Sequence, residues 1–364
     1  MERKIFGGLR RLLALGASLL AACGGGDAVG PDTGAATLVA EVTNLATLKP
    51  ATEGSYQAWV VTRDGDVRSL GRFVSAGKGS QTLAFTTPVS NPAEFYITVE
   101  PPGDDNDTPY DAQILGGFFK GSSAELSYIS RLTPGVPLIE EPGTHVLFTP
   151  SDNAALGYPS NEDAGIWLFE FGKDPEEEGG FWLDFASPDR GWTYEGWMVL
   201  DYGTPGAVWF SYGKFEADED QKASSRDDTG LGPFSGQLEY RDAMPEEIVM
   251  PGDDWVANPL GVPLPGGLPD SILPLDLNGC ADVVNAAGEI LRKCREFWRG
   301  PSRFTHVITM EPLFDKGEDP WAAQPFFLEL YKNPVGEGSP ATKRKLIFQP
   351  QNLPAGTARV ESGA

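Results

Sequence analysis

This chain carries two copies of one pattern, and an internal duplication limits the fold more tightly than any single motif does. The first copy reads Tyr56-Gln57-Ala58-Trp59-Val60-Val61, Ser69-Leu70-Gly71-Arg72-Phe73, Ile97-Thr98-Val99-Glu100-Pro101 and Pro109-Tyr110-Asp111-Ala112-Gln113. The second reads Tyr194-Glu195-Gly196-Trp197-Met198-Val199, Ser211-Tyr212-Gly213-Lys214-Phe215, Ile308-Thr309-Met310-Glu311-Pro312 and Pro320-Trp321-Ala322-Ala323-Gln324. Glu100 stands as far from Pro109 as Glu311 does from Pro320, so the last word aligns without a gap. A length of 364 residues accommodates two domains. The expected architecture is therefore a tandem of two homologous units.

Within each unit the apolar period is two. Leu38, Ala40 and Val42 share one face of a segment, as do Tyr56, Ala58 and Val60, and then Phe95, Ile97 and Val99. Alternation over half a dozen residues, bounded by Gly, Pro and Asp clusters, marks half-buried antiparallel strands. With 44 Gly and 31 Pro, the composition favours short strands and turns over long helices. The expectation is an all-β chain of two β-sandwich domains, spanning residues 36–133 and 143–335. The second is enlarged by an insertion at about 216–303, of which Glu216 to Asp228 reads as a charged mobile loop. Residues 336–364 form a polar tail in which Lys345-Leu346-Ile347-Phe348 offers one closing strand.

Residues 1–22 read as a targeting segment. Arg3, Lys4, Arg10 and Arg11 precede an eleven-residue apolar run, Leu12 to Ala22, too short for the roughly 20 residues that span a bilayer. Leu20-Ala21-Ala22-Cys23 follows, and residues 23–35 form a Gly- and Asp-rich tether. Loss of residues 1–22 removes four basic groups and one acidic one, so the net charge of −24 becomes −27. Such a chain repels phosphate backbones and shows no basic patch in its sequence to offset this, which excludes nucleic-acid binding.

Several of these words resemble known families. Leu20-Ala21-Ala22-Cys23 resembles a bacterial lipobox, which implies a lipid on Cys23, cleavage before it and membrane attachment through the acyl chains. Gly24 rather than Asp after the cysteine implies the outer membrane. Tyr-x-x-Trp-Val-Val, Leu-Gly-x-Phe and Thr-Val-Glu-Pro resemble the extracytoplasmic C-terminal domain of anti-sigma-K-type anti-sigma factors over residues 36–133. Gly191 to Trp197, Pro251-Gly252-Asp253-Asp254 and Leu275-Asp276-Leu277-Asn278-Gly279 resemble a variant of that domain in envelope lipoproteins. The loop Gly103-Asp104-Asp105-Asn106-Asp107 departs from the family's Gly-Gly-Ser-like loop. The resemblance covers the outward-facing half of such factors alone, so direct sigma-factor binding is not expected.

Candidate chemistry is sparse. His145 and His306 fall on different strands, with no Gly-x-Ser-x-Gly elbow and no His-Glu-x-x-His pair, so no catalytic residues are assigned. By the repeat alignment His306 takes the inward place of Phe95 and reads as a hydrogen-bonded histidine at the core edge. Glu100, Asp104, Asp105, Asp107 and Asp111 crowd one loop, with Glu311, Asp315, Glu318 and Asp319 at corresponding places. Oxygen-rich loops of this kind suit Ca²⁺, and the competing reading is a solvated turn. Trp192, Trp197, Trp209 and Trp255 offer a sugar-stacking platform unless they belong to the core.

Cys280 and Cys294 depend on local structure. A helix over 281–298 would hold them about 21 Å apart, whereas a disulfide needs Cα atoms within about 7 Å. A hairpin turning at Ala286-Ala287-Gly288 would set them opposite one another, and an oxidising compartment then favours a bridge. The functional expectation is a non-catalytic envelope lipoprotein with an unidentified envelope partner or ligand. The competing class is a hydrolase or glycan-binding protein using Asp, Glu and surface Trp.

Overall fold

The computed structural model describes residues 36–132, 144–149, 162–168, 170–171, 181–182, 185–217, 223–225, 251–258, 261–314, 324–338 and 342–362. The described residues form one compact unit. The protein is all-β, and its one α-helical segment among the described residues is the single turn α1 (Ile129–Leu132). The charged leader, Cys23 and the tether lie outside the described residues.

The first copy supplies β1 (Ala36–Thr43), β2 (Ser55–Val61), β3 (Val67–Phe73), β4 (Gln81–Thr87), β5 (Glu94–Glu100), β6 (Gln113–Phe118) and β7 (Ser123–Ser127). The remainder contributes β8 (Thr144–Leu147), β9 (Gly165–Leu168), β10 (Glu170–Phe171), β11 (Phe181–Trp182), β12 (Trp192–Leu200), β13 (Val208–Ala217), β14 (Ala223–Ser225), β15 (Gly252–Asp254) and β16 (Gly279–Cys280). Then come β17 (Val283–Val284), β18 (Ile290–Arg292), β19 (Gly300–Pro301), β20 (Phe304–Pro312), β21 (Leu328–Pro334), β22 (Arg344–Lys345), β23 (Ile347–Phe348) and β24 (Ala355–Ser362).

The last strand changes the architecture of the first copy. The sheet runs β3-β2-β5-β6-β7-β24-β1-β4, so β24 lies between β7 and β1 and pairs antiparallel with both. Ala36 faces Ser362 and Thr43 faces Ala355 across the full length of β1. What would be two facing sheets is thereby hydrogen-bonded into one eight-stranded sheet, and its edges β3 and β4 approach each other in a nearly closed barrel. The closing strand is thus residues 355–362, while the 345–348 segment is divided between two partners. Arg344 and Lys345 pair with β8, and Ile347 pairs with β21. The tail's alternation, Ala355, Thr357, Arg359 against Gly356, Ala358, Val360, is too weakly apolar to announce a strand buried between two others.

The second copy sets a six-stranded sheet, β14-β13-β12-β20-β21-β23, against a four-stranded one, β15-β9-β8-β22. Their inner faces meet where His145 touches His306 and where Phe210 packs edge-on against Trp255, ring centroids 6.2 Å apart. The alternation predicted for the first copy holds on its inner side, with Leu38, Ala40, Val42, Tyr56, Ala58, Val60, Phe95, Ile97 and Val99 all within the main core. That core continues without a break into the second copy, through Trp192, Tyr194, Phe215 and Tyr331. Residues 216–217 do not begin a loop: Glu216 and Ala217 stay in β13 and pair with Ser224 and Ala223 of β14.

The insertion also carries the cysteine hairpin. Val283 pairs with Arg292 and Val284 with Ile290, and Gly288 takes φ 81°, a left-handed value that any side chain would resist. Asn285 accepts the amides of Ala287 and Glu289, both at 2.9 Å, which closes the turn. Cys280 and Cys294 are joined by a disulfide with Cα atoms 5.6 Å apart. Residues 283–292 are therefore strand and turn; the helical spacing of their apolar residues reflects a hairpin that is apolar on both sides.

A chain ending before Ala355 leaves β1 and β7 as open edges and strips Ala358 and Val360 from the core they pack against. Losing the backbone ladder on both sides together with this apolar cover destabilises the first copy. Residues 36–132 of such a chain should be cut rapidly by protease while the intact chain resists. Equal resistance would show that β24 is dispensable.

Candidate functional site

The repeated words form the same hydrogen-bonded device in each copy. In the first, the Trp59 indole donates to Thr98 Oγ1 at 2.7 Å, Thr98 donates to Glu100, and the Tyr110 amide donates to the same carboxylate at 3.3 Å. In the second, Trp197 donates to Thr309 at 2.9 Å, Thr309 donates to Glu311, and the Phe326 amide reaches that carboxylate at 3.0 Å. Trp59, Thr98, Glu100, Trp197 and Thr309 have no exposed surface. Both tryptophans lie on the side of their sheet away from the main core. Trp197 packs there with Val199, Val307 and Trp209, whereas Trp59 stacks on Tyr96.

Bulges aim these groups. Opposite Ala58 and Trp59 the register jumps from Gly71 to Ser69, and opposite Gly196 and Trp197 it jumps from Gly213 to Ser211. Gly71 and Gly213 have φ of 104° and 105°, and each amide donates to the serine two residues earlier, at 3.1 and 3.0 Å. A second matched pair of bulges skips Ile114 opposite Ile97/Thr98 and Leu330 opposite Ile308/Thr309. Each extra residue re-aims the strand so that a buried polar side chain meets its partner. The stacked pairs Tyr56–Phe73 and Tyr194–Phe215, both at 5.5 Å, also recur. The two tyrosine hydroxyls donate to Ala46 and Ala186 carbonyls in turn.

These contacts correct the alignment of the fourth word. Gln113 pairs with Thr98, and the residue paired with Thr309 is Glu329; Tyr110 and Phe326 give the matching amides to Glu100 and Glu311. Pro109-Tyr110 therefore corresponds to Pro325-Phe326, not to Pro320-Trp321, and the second loop is five residues longer. The gapless word match was set by a repeated Pro and Gln, whereas the true register is set by which amide reaches the carboxylate. Pro320 to Ala323, with Asp315, Glu318 and Asp319, lie outside the described residues.

The five acids of the first loop are not gathered for a cation. Glu100 is enclosed beneath the sheet, Asp104 pairs with Arg72 at 3.0 Å and accepts the Asn106 amide at 3.2 Å, and Asp105, Asp107 and Asp111 face solvent. Among the described residues no group of three or more His, Cys, Asp or Glu side chains is placed to hold a metal ion, so the residues present do not fit Ca²⁺. Burial raises the Glu100 carboxyl above its usual range, and the Thr98 hydroxyl and Tyr110 amide pull it back down. The sugar-stacking platform is overturned for three of its four members: Trp192, Trp197 and Trp255 are fully enclosed, and half-buried Trp209 packs edge-on against Trp197 at 5.8 Å. Trp192 donates to the Gln113 carbonyl at 2.9 Å, so it joins the copies.

The two histidines, separate in sequence, meet in the second core. Their Nδ1 atoms are 3.1 Å apart, and His306 Nε2 lies 2.8 Å from the Tyr212 hydroxyl. His306 stands where the first copy has Phe95, and Tyr212 where it has Leu70. Gly196 makes the exchange sterically feasible, because a Cβ there would lie 1.7 Å from the Tyr212 ring. The single proton shared between the Nδ1 atoms suits two neutral imidazoles. Burial holds His306 down at about 3 and His145 well below 6.5, the second further depressed by His306 and Arg344. Spacing gave no hint of this contact; the signal was the replacement of Phe95 by His306 together with that of Ala58 by Gly196.

Residues 15–112 match the family model described as anti-sigma-K factor rskA, C-terminal, a domain of extracytoplasmic type. The match takes in β1 to β5 and ends at Ala112, so it includes Trp59, Thr98 and Glu100. No curated protein and no solved structure matches the chain. Among the described residues no helix is long and apolar enough to cross a membrane.

Replacing Thr98 or Thr309 by the isosteric Val strands an indole N–H and a carboxylate oxygen in a dry site. Each change should cost about 1–3 kcal/mol in urea denaturation, equally in the two copies. An unchanged midpoint would show that the device contributes nothing. The histidine pair gives a separate signature. The folded state keeps both rings neutral, whereas unfolded histidine protonates near 6.5, so their contribution is intact above that pH and is lost as pH falls from 6.5 toward 3. The chain has just these two histidines, and carboxylates titrate lower, so between pH 6.5 and 5 stability should fall by up to about 1.4 kcal/mol per pH unit for each ring. His306→Phe should reduce the slope of the urea midpoint against pH; an unaltered slope would place the titration elsewhere.

Proposed function

We propose that this protein is a lipid-anchored component of the bacterial cell envelope, and that its anti-sigma-factor-like domains act outside the cytoplasm as a non-catalytic binding or sensory module. The observation that carries this reading is the match of residues 15–112 to an anti-sigma factor's C-terminal domain. The second copy extends it, because it rebuilds the same Trp–Thr–Glu device and the same two bulges on its own strands. The leader ending in Leu20-Ala21-Ala22-Cys23 supports attachment through a lipid on Cys23, with Gly24 favouring the outer membrane.

The placement of the acids supports a binding role over a hydrolytic one. Glu100 and Glu311 each face a threonine hydroxyl and a loop amide and hold strand to loop. Acid–base cleavage of a glycoside needs two carboxyl groups facing each other across substrate, roughly 5–9.5 Å apart. These two serve separate copies. The partner is an envelope protein or ligand, with neither nucleic acid nor a sigma factor expected, given the net charge and the extracytoplasmic setting.

Lipid attachment is tested by Cys23→Ser. The substituted chain should leave the membrane fraction in a wash at about 1 M salt, where headgroup contacts are screened, and appear as soluble, folded protein. Full membrane retention with no lipid found on any residue would sink the anchoring reading.

A further inference from the structure

Four apolar side chains stand out from the protein on the cysteine hairpin. Leu291 is 67% exposed, Ile290 56%, Val284 53% and Val283 43%, all within one stapled turn. Val284 and Ile290 pair across the strands and share one side, while Val283 and Leu291 fall outside that pair. No described core residue covers them. Isolated exposed apolar residues are ordinary, but four on one protruding hairpin form a patch that calls for a partner.

Charge at the base of the hairpin indicates what that partner is. Lys293 follows Leu291 by two residues, roughly 7 Å along an extended strand, and Arg295 comes two residues later. Both are exposed, and neither forms an ion pair among the described residues. They line an open cleft of about 530 Å³ with Ser271, Ile272, Glu296 and Phe297. The neighbouring cations are already engaged, Arg299 with Asp282 and Glu296, and Arg303 with Asp201. The base is rigid. The disulfide closes it, Asp282 accepts the Cys294 amide at 2.8 Å, and Trp298 anchors the next turn by donating to the Ile272 carbonyl at 2.9 Å.

Apolar strands flanking the turn, with exposed cations behind them that lie within the fields of Asp276 and Asp282 but form no ion pair among the described residues, suit an interface between hydrocarbon and anionic headgroups, which lies about 5–10 Å deep for a surface-lying segment. We propose that the Cys280–Cys294 hairpin is a membrane-docking element that inserts its exposed apolar side chains into an anionic lipid surface, with Lys293 and Arg295 at the headgroup phosphates. The acidity of the whole chain does not forbid this. At physiological salt charges further than about 8 Å from a phosphate are largely screened, so the local cations decide. Three acids oppose insertion: Asp282 and Glu296 at the base, both engaged by Arg299, and Glu289, exposed in the turn, where it accepts from Asn285 Nδ2 at 2.7 Å. The inference relies on the function proposed above only for placing the protein beside a membrane.

The test is amide hydrogen exchange on the full chain with vesicles of phosphatidylcholine alone or mixed with phosphatidylglycerol. Residues 283–291 should slow on the mixed vesicles, and the protection should weaken at about 1 M salt, where the screening length is about 3 Å. Val284→Asp with Leu291→Asp should weaken vesicle binding on the order of tenfold or more, since each change removes apolar burial and adds a charge. Lys293→Glu with Arg295→Glu should abolish the preference for phosphatidylglycerol, and Glu289→Gln should strengthen binding. These side chains project into solvent, so retention of the disulfide by mass shows that the variants still fold. Protection that persists in the Cys23→Ser chain separates this contact from the N-terminal lipid. Unchanged exchange at 283–291 while the chain is vesicle-bound would overturn the proposal, and so would protection that grows with protein concentration without lipid, which would mean pairing of two hairpins.

Discussion

A carboxylate taken out of water has to be met by donors, and here that requirement is satisfied twice in the same way. Glu100 and Glu311 each sit at the end of a strand, and each receives a hydroxyl from two residues back and an amide from the loop that follows. The hydroxyl in turn takes the indole N–H of a tryptophan from the neighbouring strand. Three elements are thus fixed by one chain of bonds, and the bulges beside it allow strands with a two-residue period to present those groups together. Unmet, any member would cost more than the bond itself contributes, which is why such networks specify a single register.

The two copies differ around this shared frame. The first keeps an apolar interior at Ala58, Leu70 and Phe95; the second replaces these with Gly196, Tyr212 and His306 and brings His145 from the opposite sheet to meet them. Loss of one methyl at Gly196 makes room for a phenol, and the phenol supplies the polar partner that a buried imidazole needs. The insertion between β13 and β20 then adds the facing sheet strand β15 and the cysteine hairpin, so the enlargement contributes both core and surface.

Much of this frame is legible in the sequence. The inward residues of β1, β2 and β5 follow from period two, and the equivalence of Trp59 with Trp197 follows from the repeated words. Burial on the other side of those strands does not, because Trp59 alternates with Ala58 as a solvent-facing residue would. The exposed tryptophan platform failed for the same reason: a sheet covered on both faces hides aromatic residues that a one-sided pattern would leave in water. The fourth word misled because five extra loop residues do not show in a match of Pro and Gln. The strand Ala355–Ser362 was invisible because its inward residues are Gly356, Ala358 and a single Val360, the first held small by close approach: a Cβ on Gly356 would lie 2.3 Å from the Glu41 carbonyl.

That strand has a consequence for the order in which the protein assembles. β1 is made early and pairs along its whole length with residues more than three hundred positions later. Closing so long a loop costs little at equilibrium, about 0.6 kcal/mol for each doubling, but contacts this distant in sequence form slowly. Until residues 355–362 arrive, the first copy presents two open β edges, the surfaces on which strands from other chains add. A protein threaded through a membrane from its N-terminus would therefore carry an adhesive, unfinished first copy throughout its passage. In chain order the second copy lies between β7 and β24, so the completed fold returns the last strand to the first copy across it.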